Sequence, residues 1–138
     1  MKMPVVALDV SGSAPVEEYV QYLLNRNAEP NFRLVLFAHK VLTDGIVSNR
    51  QELKERVRHR YIGGTNIKSL FEYLESGRQP QPPDSIVRDD GGIEVELLIV
   101  YTDGVDYGLG DVATPAFPVY WAPFLEPGWT PPFGEMLP

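Results

Sequence analysis

Three short segments carry the side chains that could do chemistry: Asp9-Val10-Ser11-Gly12-Ser13, Gly63-Gly64-Thr65-Asn66 and Tyr101-Thr102-Asp103-Gly104. Each offers carboxylate or hydroxyl oxygens on short stems, and none contains a histidine or cysteine. Oxygen donors of this kind are hard ligands, suited to Mg²⁺, Mn²⁺ or Ca²⁺ rather than zinc or copper. Each segment also has a plainer reading. Asp9 is a good turn-former at a strand end, Ser11 and Ser13 suit the cap of a following helix, and Thr65 can cap its own. Asp103-Gly104 is also an ordinary turn pair. The joint occurrence favours the metal reading, because each segment falls at the same kind of place in the chain.

That place is set by the elements. Pro4–Leu8 is a continuous apolar run closed by Asp9, the pattern of a strand buried on both faces. Pro15 suits the first turn of a helix, and Glu17 and Glu18 suit the positive end of its dipole. Val16, Tyr19, Val20, Leu23 and Leu24 give that helix one apolar face. Arg33–Ala38 reads as a second buried strand, and Lys40–Val47 as a weaker strand or hairpin turning at Asp44-Gly45. Gln51–His59 reads as a polar helix with Leu53 and Val57 inward. Asn66–Glu75 reads as a third helix, with Ile67, Leu70, Phe71 and Leu74 on one face. Glu94–Tyr101 is the strongest strand pattern, and Phe117–Trp121 is another.

Strands alternating with helices predict an α/β fold: a three-layer, doubly wound, mostly parallel sheet flanked by helices, in one domain spanning 1–138. In such sheets ligands bind beyond the carboxyl ends of the strands, where Asp9 and Asp103 stand. Ser76–Ile93, rich in proline and polar residues, is expected to be an exposed, mobile loop. Trp121, Phe124, Trp129 and Phe133 form an aromatic-proline tail expected to pack on the core or cover an edge, with a partner groove as the other reading. His39 and His59 are expected to be solvated or structural. Asp44, Asp106 and Asp111 are expected in loops, with Asp106 and Tyr107 near enough to Asp103 to rim its site.

Composition narrows the classes further. The chain has 138 residues, 43% hydrophobic and 22% charged, which is globular and about one domain long. Its net charge of −7 disfavours binding to a phosphate backbone. The basic run at Lys54–Arg60 reads as a solvated helix face. Zero cysteines exclude disulfides, zinc-thiolate sites and a cysteine nucleophile. The first apolar stretch is too short for a signal peptide or a membrane span, so a cytoplasmic location is the default expectation.

Asp9-Val10-Ser11-Gly12-Ser13 matches the D-x-S-x-S signature of von Willebrand factor A (VWA) domains, and Thr65 and Asp103 match the rest of their metal-ion-dependent adhesion site (MIDAS). The chain also resembles a bacterial VWA-like family associated with a metallopeptidase region, through Gly63-Gly64-Thr65, Thr102-Asp103-Gly104 and Pro131-Pro132-Phe133-Gly134. The resemblance implies a metal site of Asp9, Ser11, Ser13, Thr65 and Asp103. Ser11 and Ser13 would touch Mg²⁺ or Mn²⁺ (or Ca²⁺), Thr65 would do so in a ligand-competent state and through water otherwise, and Asp9 and Asp103 would act mainly through water. It implies a module that offers the ion to an Asp or Glu of a protein partner, such as a MoxR-type AAA+ ATPase. The chain is expected to be a monomer and, lacking a protease motif and a complete phosphatase motif, not an enzyme. Many members carry an acidic residue after the threonine where this chain has Asn66, and H-E-x-x-H is absent, so zinc proteolysis does not carry over. Two other functions remain open. One is a VWA-like scaffold with a vestigial site. The other is a Mg²⁺-dependent phosphohydrolase of haloacid-dehalogenase type with Asp9 as nucleophile, although Ser11 stands where its general-acid Asp belongs.

Overall fold

The computed structural model describes residues 2–12, 14–26, 30–58, 64–76, 94–103, 113–128 and 130–137. Six strands form one sheet in the order β3-β2-β1-β4-β5-β6, with β1 at Lys2–Asp9, β2 at Phe32–Phe37, β3 at Val41–Val47, β4 at Glu94–Tyr101, β5 at Val119–Trp121 and β6 at Glu135–Met136. All neighbours pair in parallel except β2 and β3. Three described helices, α1 (Val16–Arg26), α2 (Arg50–Arg56) and α3 (Ile67–Ser76), complete an α/β, Rossmann-like fold.

The period-2 alternation of β1 divides the core. Val6, Leu8 and Val10 face the layer of α1 and α2, joined by Tyr19, Leu23 and Leu53. Val5 and Ala7 face α3, joined by Ile67, Leu70 and Phe71. Central strands covered on both sides need continuous apolar runs, and every residue of β2 is buried. Pro4 cannot donate to the ladder, and the β1–β4 register shifts between Met3 and Pro4.

Several boundaries differ from the sequence expectation. Lys40–Val47 contains no hairpin: β3 runs unbroken through Asp44 and Gly45, which pair with Val35 and Leu34. Asp44 is fully buried rather than in a loop. Its carboxylate accepts from Arg33 Nε (2.8 Å) and Nη2 (2.6 Å) and from the Tyr73 hydroxyl (2.7 Å), tying β2, β3 and α3 together. Burial opposes the Arg33 charge, but the hydrogen bonds and charge of Asp44 outweigh it, so the guanidinium pKa moves up. α1 begins at Val16, and Pro15 precedes it with its carbonyl accepting from Glu18 and Tyr19 N–H. α2 begins one residue before the expected start because Asn49 caps it: the Asn49 side chain accepts from Glu52 N, while Glu52 accepts from Ser48 N at 2.7 Å.

The aromatic tail covers an edge. The Trp121 indole N–H donates to Phe133 O at 2.8 Å, and Leu137 N–H donates to Trp121 O, adding β6 beside β5. Phe133 packs edge-on to Phe71 at 5.2 Å. Phe124 instead joins Tyr19, Tyr22 and Tyr101 on the α1 side. The expected 76–93 loop, apart from Ser76, lies outside the described residues, as do His59, Asp106, Tyr107, Asp111 and Trp129. No described helix is long and apolar enough to cross a membrane.

Candidate metal centre

Asp9 is the last residue of β1 and is fully buried. Three donors hold its carboxylate. The Ser11 N–H donates to Oδ1 at 2.9 Å, closing the turn that follows the strand. Thr65 Oγ1 and Thr102 Oγ1 donate to Oδ2 at 3.1 and 2.9 Å. One carboxylate thereby joins the turn after β1, the loop before α3 and the carboxyl end of β4. The turn is also fixed to the sheet, because Val10 N–H donates to Phe37 O at the end of β2.

Thr65 has a second oxygen neighbour, Ser11 Oγ at 2.9 Å. A hydroxyl has one proton. If Thr65 gives it to Asp9, the Ser11 hydroxyl must supply the proton of the other contact. Neither residue acts as a simple helix cap. The cap of α3 is Asn66, whose side chain accepts from Ser69 N at 3.2 Å. That role gives Asn66 a local physical reason. Asn66 N–H also donates to Ala38 O, which anchors the loop beside β2.

Asp103 follows β4 and is half-buried. Its carbonyl accepts from Glu126 N at 2.8 Å, fixing the backbone at that point. The Tyr19 hydroxyl of α1 is fully buried and has no hydrogen-bond partner among the described residues. Burial first, then the charges of Asp9 and Asp103, push its pKa upward, so both carboxylates reach the same hydroxyl electrostatically. Asp9 makes no ion pair with any described residue. A buried charge of one sign is costly even when hydrogen-bonded, unless a counter-charge offsets it.

Of the sequence-predicted site residues, the fold gathers Asp9, Ser11 and Thr65 by direct contact and brings Asp103 to the same end of the sheet. Ser13 lies outside the described residues. Sequence reasoning missed one donor to Asp9, Thr102, and one hydroxyl within its electrostatic reach, Tyr19. Thr102 stood inside the quoted Thr-Asp-Gly segment without a role, and Tyr19 read as one more core position. His39 is exposed and takes no part. Among the described residues no three His, Cys, Asp or Glu side chains gather, so any ion here would rest on hydroxyls with a minority of carboxylates. No family model matches this chain, and no curated protein matches it either.

Proposed function

We propose that the Asp9 cluster is the MIDAS of a VWA-like domain that binds a protein partner through Mg²⁺ or Mn²⁺, with Ca²⁺ as a further candidate. The observation that carries the reading is Asp9 itself: a buried carboxylate with no ion-pair partner among the described residues, beside the hydroxyls of Ser11 and Thr65. The donor set supports a hard cation, since it is oxygen throughout. The buried Tyr19 hydroxyl lies within electrostatic reach of Asp9 and Asp103. Ser11, Ser13 and Thr65 would hold the ion, and Asp9 and Asp103 would contribute negative charge and orient the hydroxyls. Bound there, the ion would supply a Lewis-acid position for an Asp or Glu of the partner. A MoxR-type AAA+ ATPase as that partner rests on the family resemblance.

Phosphoryl transfer fits less well. Three donors pin both oxygens of Asp9, and position 11 holds a serine where a general acid is needed. A scaffold with a vestigial site draws on the same three donors, because they satisfy Asp9 from within the protein. Thermal unfolding separates these readings: wild type and Ser11→Ala are compared in EDTA and in millimolar Mg²⁺, Mn²⁺ or Ca²⁺. An ion that binds only the native chain raises the midpoint, by about 2.7 kcal/mol of stability at a hundred times its Kd. A rise that Ser11→Ala lacks is expected. No rise with any of the ions overturns the metal reading in favour of the scaffold.

A further inference from the structure

A groove of about 360 Å³ runs between α1 and α2, away from the Asp9 cluster. Its apolar floor includes Val16 and Val20 of α1 and Val57 after α2; its α2 side carries Arg50, Lys54 and Arg58, and its α1 side carries one acid, Glu17, with Gln21. These three cations recur every four residues, so they form a line on one side of the helix and the turn that continues it, spanning about 12 Å. All three are exposed, and none is ion-paired among the described residues. The chain carries 19 acidic residues against 12 Lys and Arg, so carboxylates able to neutralise them are plentiful. The acids of α2 itself are engaged elsewhere: Glu52 accepts from Ser48 N, and Glu55 accepts from the Gln51 side chain.

We propose that this groove docks an amphipathic helix of a protein partner, with aliphatic side chains on the floor and acidic residues along the Arg50–Lys54–Arg58 line. The volume suits a few aliphatic side chains. A helix presents anchors at i, i+3, i+4 and i+7, with a neighbouring flank at i and i+4, which matches an apolar floor beside cations of the same period. The groove is lined by no residue of the Asp9 cluster, so this docking needs no metal. The overall negative charge keeps acidic ligands away from the rest of the surface, so the basic line also sets the orientation of approach.

The test is fluorescence anisotropy in EDTA with a labelled helical peptide carrying leucines at i, i+3, i+4 and i+7 and glutamates along the adjoining flank. Its counterpart has lysine at every glutamate. The protein variant is Lys54→Glu/Arg58→Glu, two exposed changes whose folding is checked by circular dichroism. The acidic peptide is expected to bind wild type at least about tenfold tighter than the lysine peptide, to weaken as salt rises, and to lose its preference on the variant. Equal binding of the two peptides, or an acidic-peptide affinity unchanged in the variant, overturns the proposal. Displacement of the acidic peptide by a single-stranded oligonucleotide of equal charge also overturns it, in favour of a phosphate-binding surface. Concentration-dependent dimerisation that the same variant abolishes would overturn it in favour of a second copy of this chain.

Discussion

The side-chain oxygens of Thr65 and Ser11 lie 2.9 Å apart although 54 positions separate them in sequence. Both are bound to Asp9, Ser11 through its backbone N–H and Thr65 through its hydroxyl. Thr102 reaches the same carboxylate from 93 positions away. The two threonines differ in burial: Thr102 is fully buried and Thr65 is not. Thr102→Val is therefore expected to cost about 1.5–3 kcal/mol, the range for a lost hydrogen bond to a charged group. Thr65→Val leaves a site that water can reach, and about 1 kcal/mol is expected. Urea unfolding of both variants checks the order, and a larger loss for Thr65→Val would contradict it.

Tyr19 and Tyr101 give the pH dependence. Burial is the main cause raising both pKa values, with Asp9 and Asp103 adding to it at Tyr19 and Tyr22 adding to it at Tyr101. Below about pH 10 the unfolded chain also keeps these protons, so the two tyrosines add no slope. Above that, the unfolded chain releases protons that the native chain retains, and stability falls as pH rises. Tyr19→Phe removes a buried hydroxyl that has no partner among the described residues. In EDTA its stability is expected to match or exceed wild type at neutral pH, by up to about 1 kcal/mol, with a shallower loss between pH 9 and 11. Denaturant midpoints across that range are the readout.

The buried pair of Arg33 and Asp44 predicts asymmetric mutants. Arg33→Met strands a fully buried carboxylate, and about 3–5 kcal/mol of destabilisation is expected. Arg33→Met/Asp44→Leu removes both charges and should recover a large part of that loss, measurable by chemical denaturation. A double variant as unstable as the single one would mean that the pair itself, and not the stranded charge, holds β2 against β3.

What the sequence displayed, and what it hid, follows from the range of the interactions. β4 was legible to the residue because its apolar run is local. The nearness of Asp9 and Asp103 was legible because the carboxyl ends of neighbouring parallel strands share one edge. Of the two readings of Lys40–Val47, the strand holds and the hairpin at Asp44-Gly45 does not: Asp44 is tied to Arg33, 11 positions away, and Tyr73, 29 away. β6 has only two residues, and its pairing comes from β5, so no pattern of its own announced it. Thr102 stood in the Thr-Asp-Gly segment with no local signal of its role, and the Tyr19 hydroxyl, without a partner among the described residues, cannot be told from a satisfied one without its neighbours.

Gly134 predicts how the tail is held. Its φ of 84° is in the left-handed region, and a Cβ there would meet Val119 O at 2.7 Å and Trp121 Nε1 at 2.9 Å. Gly134→Ala is expected to cost about 1–3 kcal/mol and to pull Phe133 O away from the indole N–H. In a Trp129→Phe background Trp121 is the sole indole, and a red-shifted emission with easier quenching would report that loss.

The spread of the Asp9 cluster along the chain has a consequence in time. Its donors come from positions 11, 65 and 102, so no short fragment contains the set. During synthesis, the first strand and its aspartate emerge long before Thr102 does. Until β4 follows and pairs with β1, the Asp9 carboxylate lacks its Thr102 donor and the set is incomplete. Closing contacts over such separations costs loop entropy early and returns it only when the central strands are side by side. The cluster therefore forms with the last of the central pairings, and anything that recognises its arrangement distinguishes a finished copy of the chain from a nascent or partly opened one.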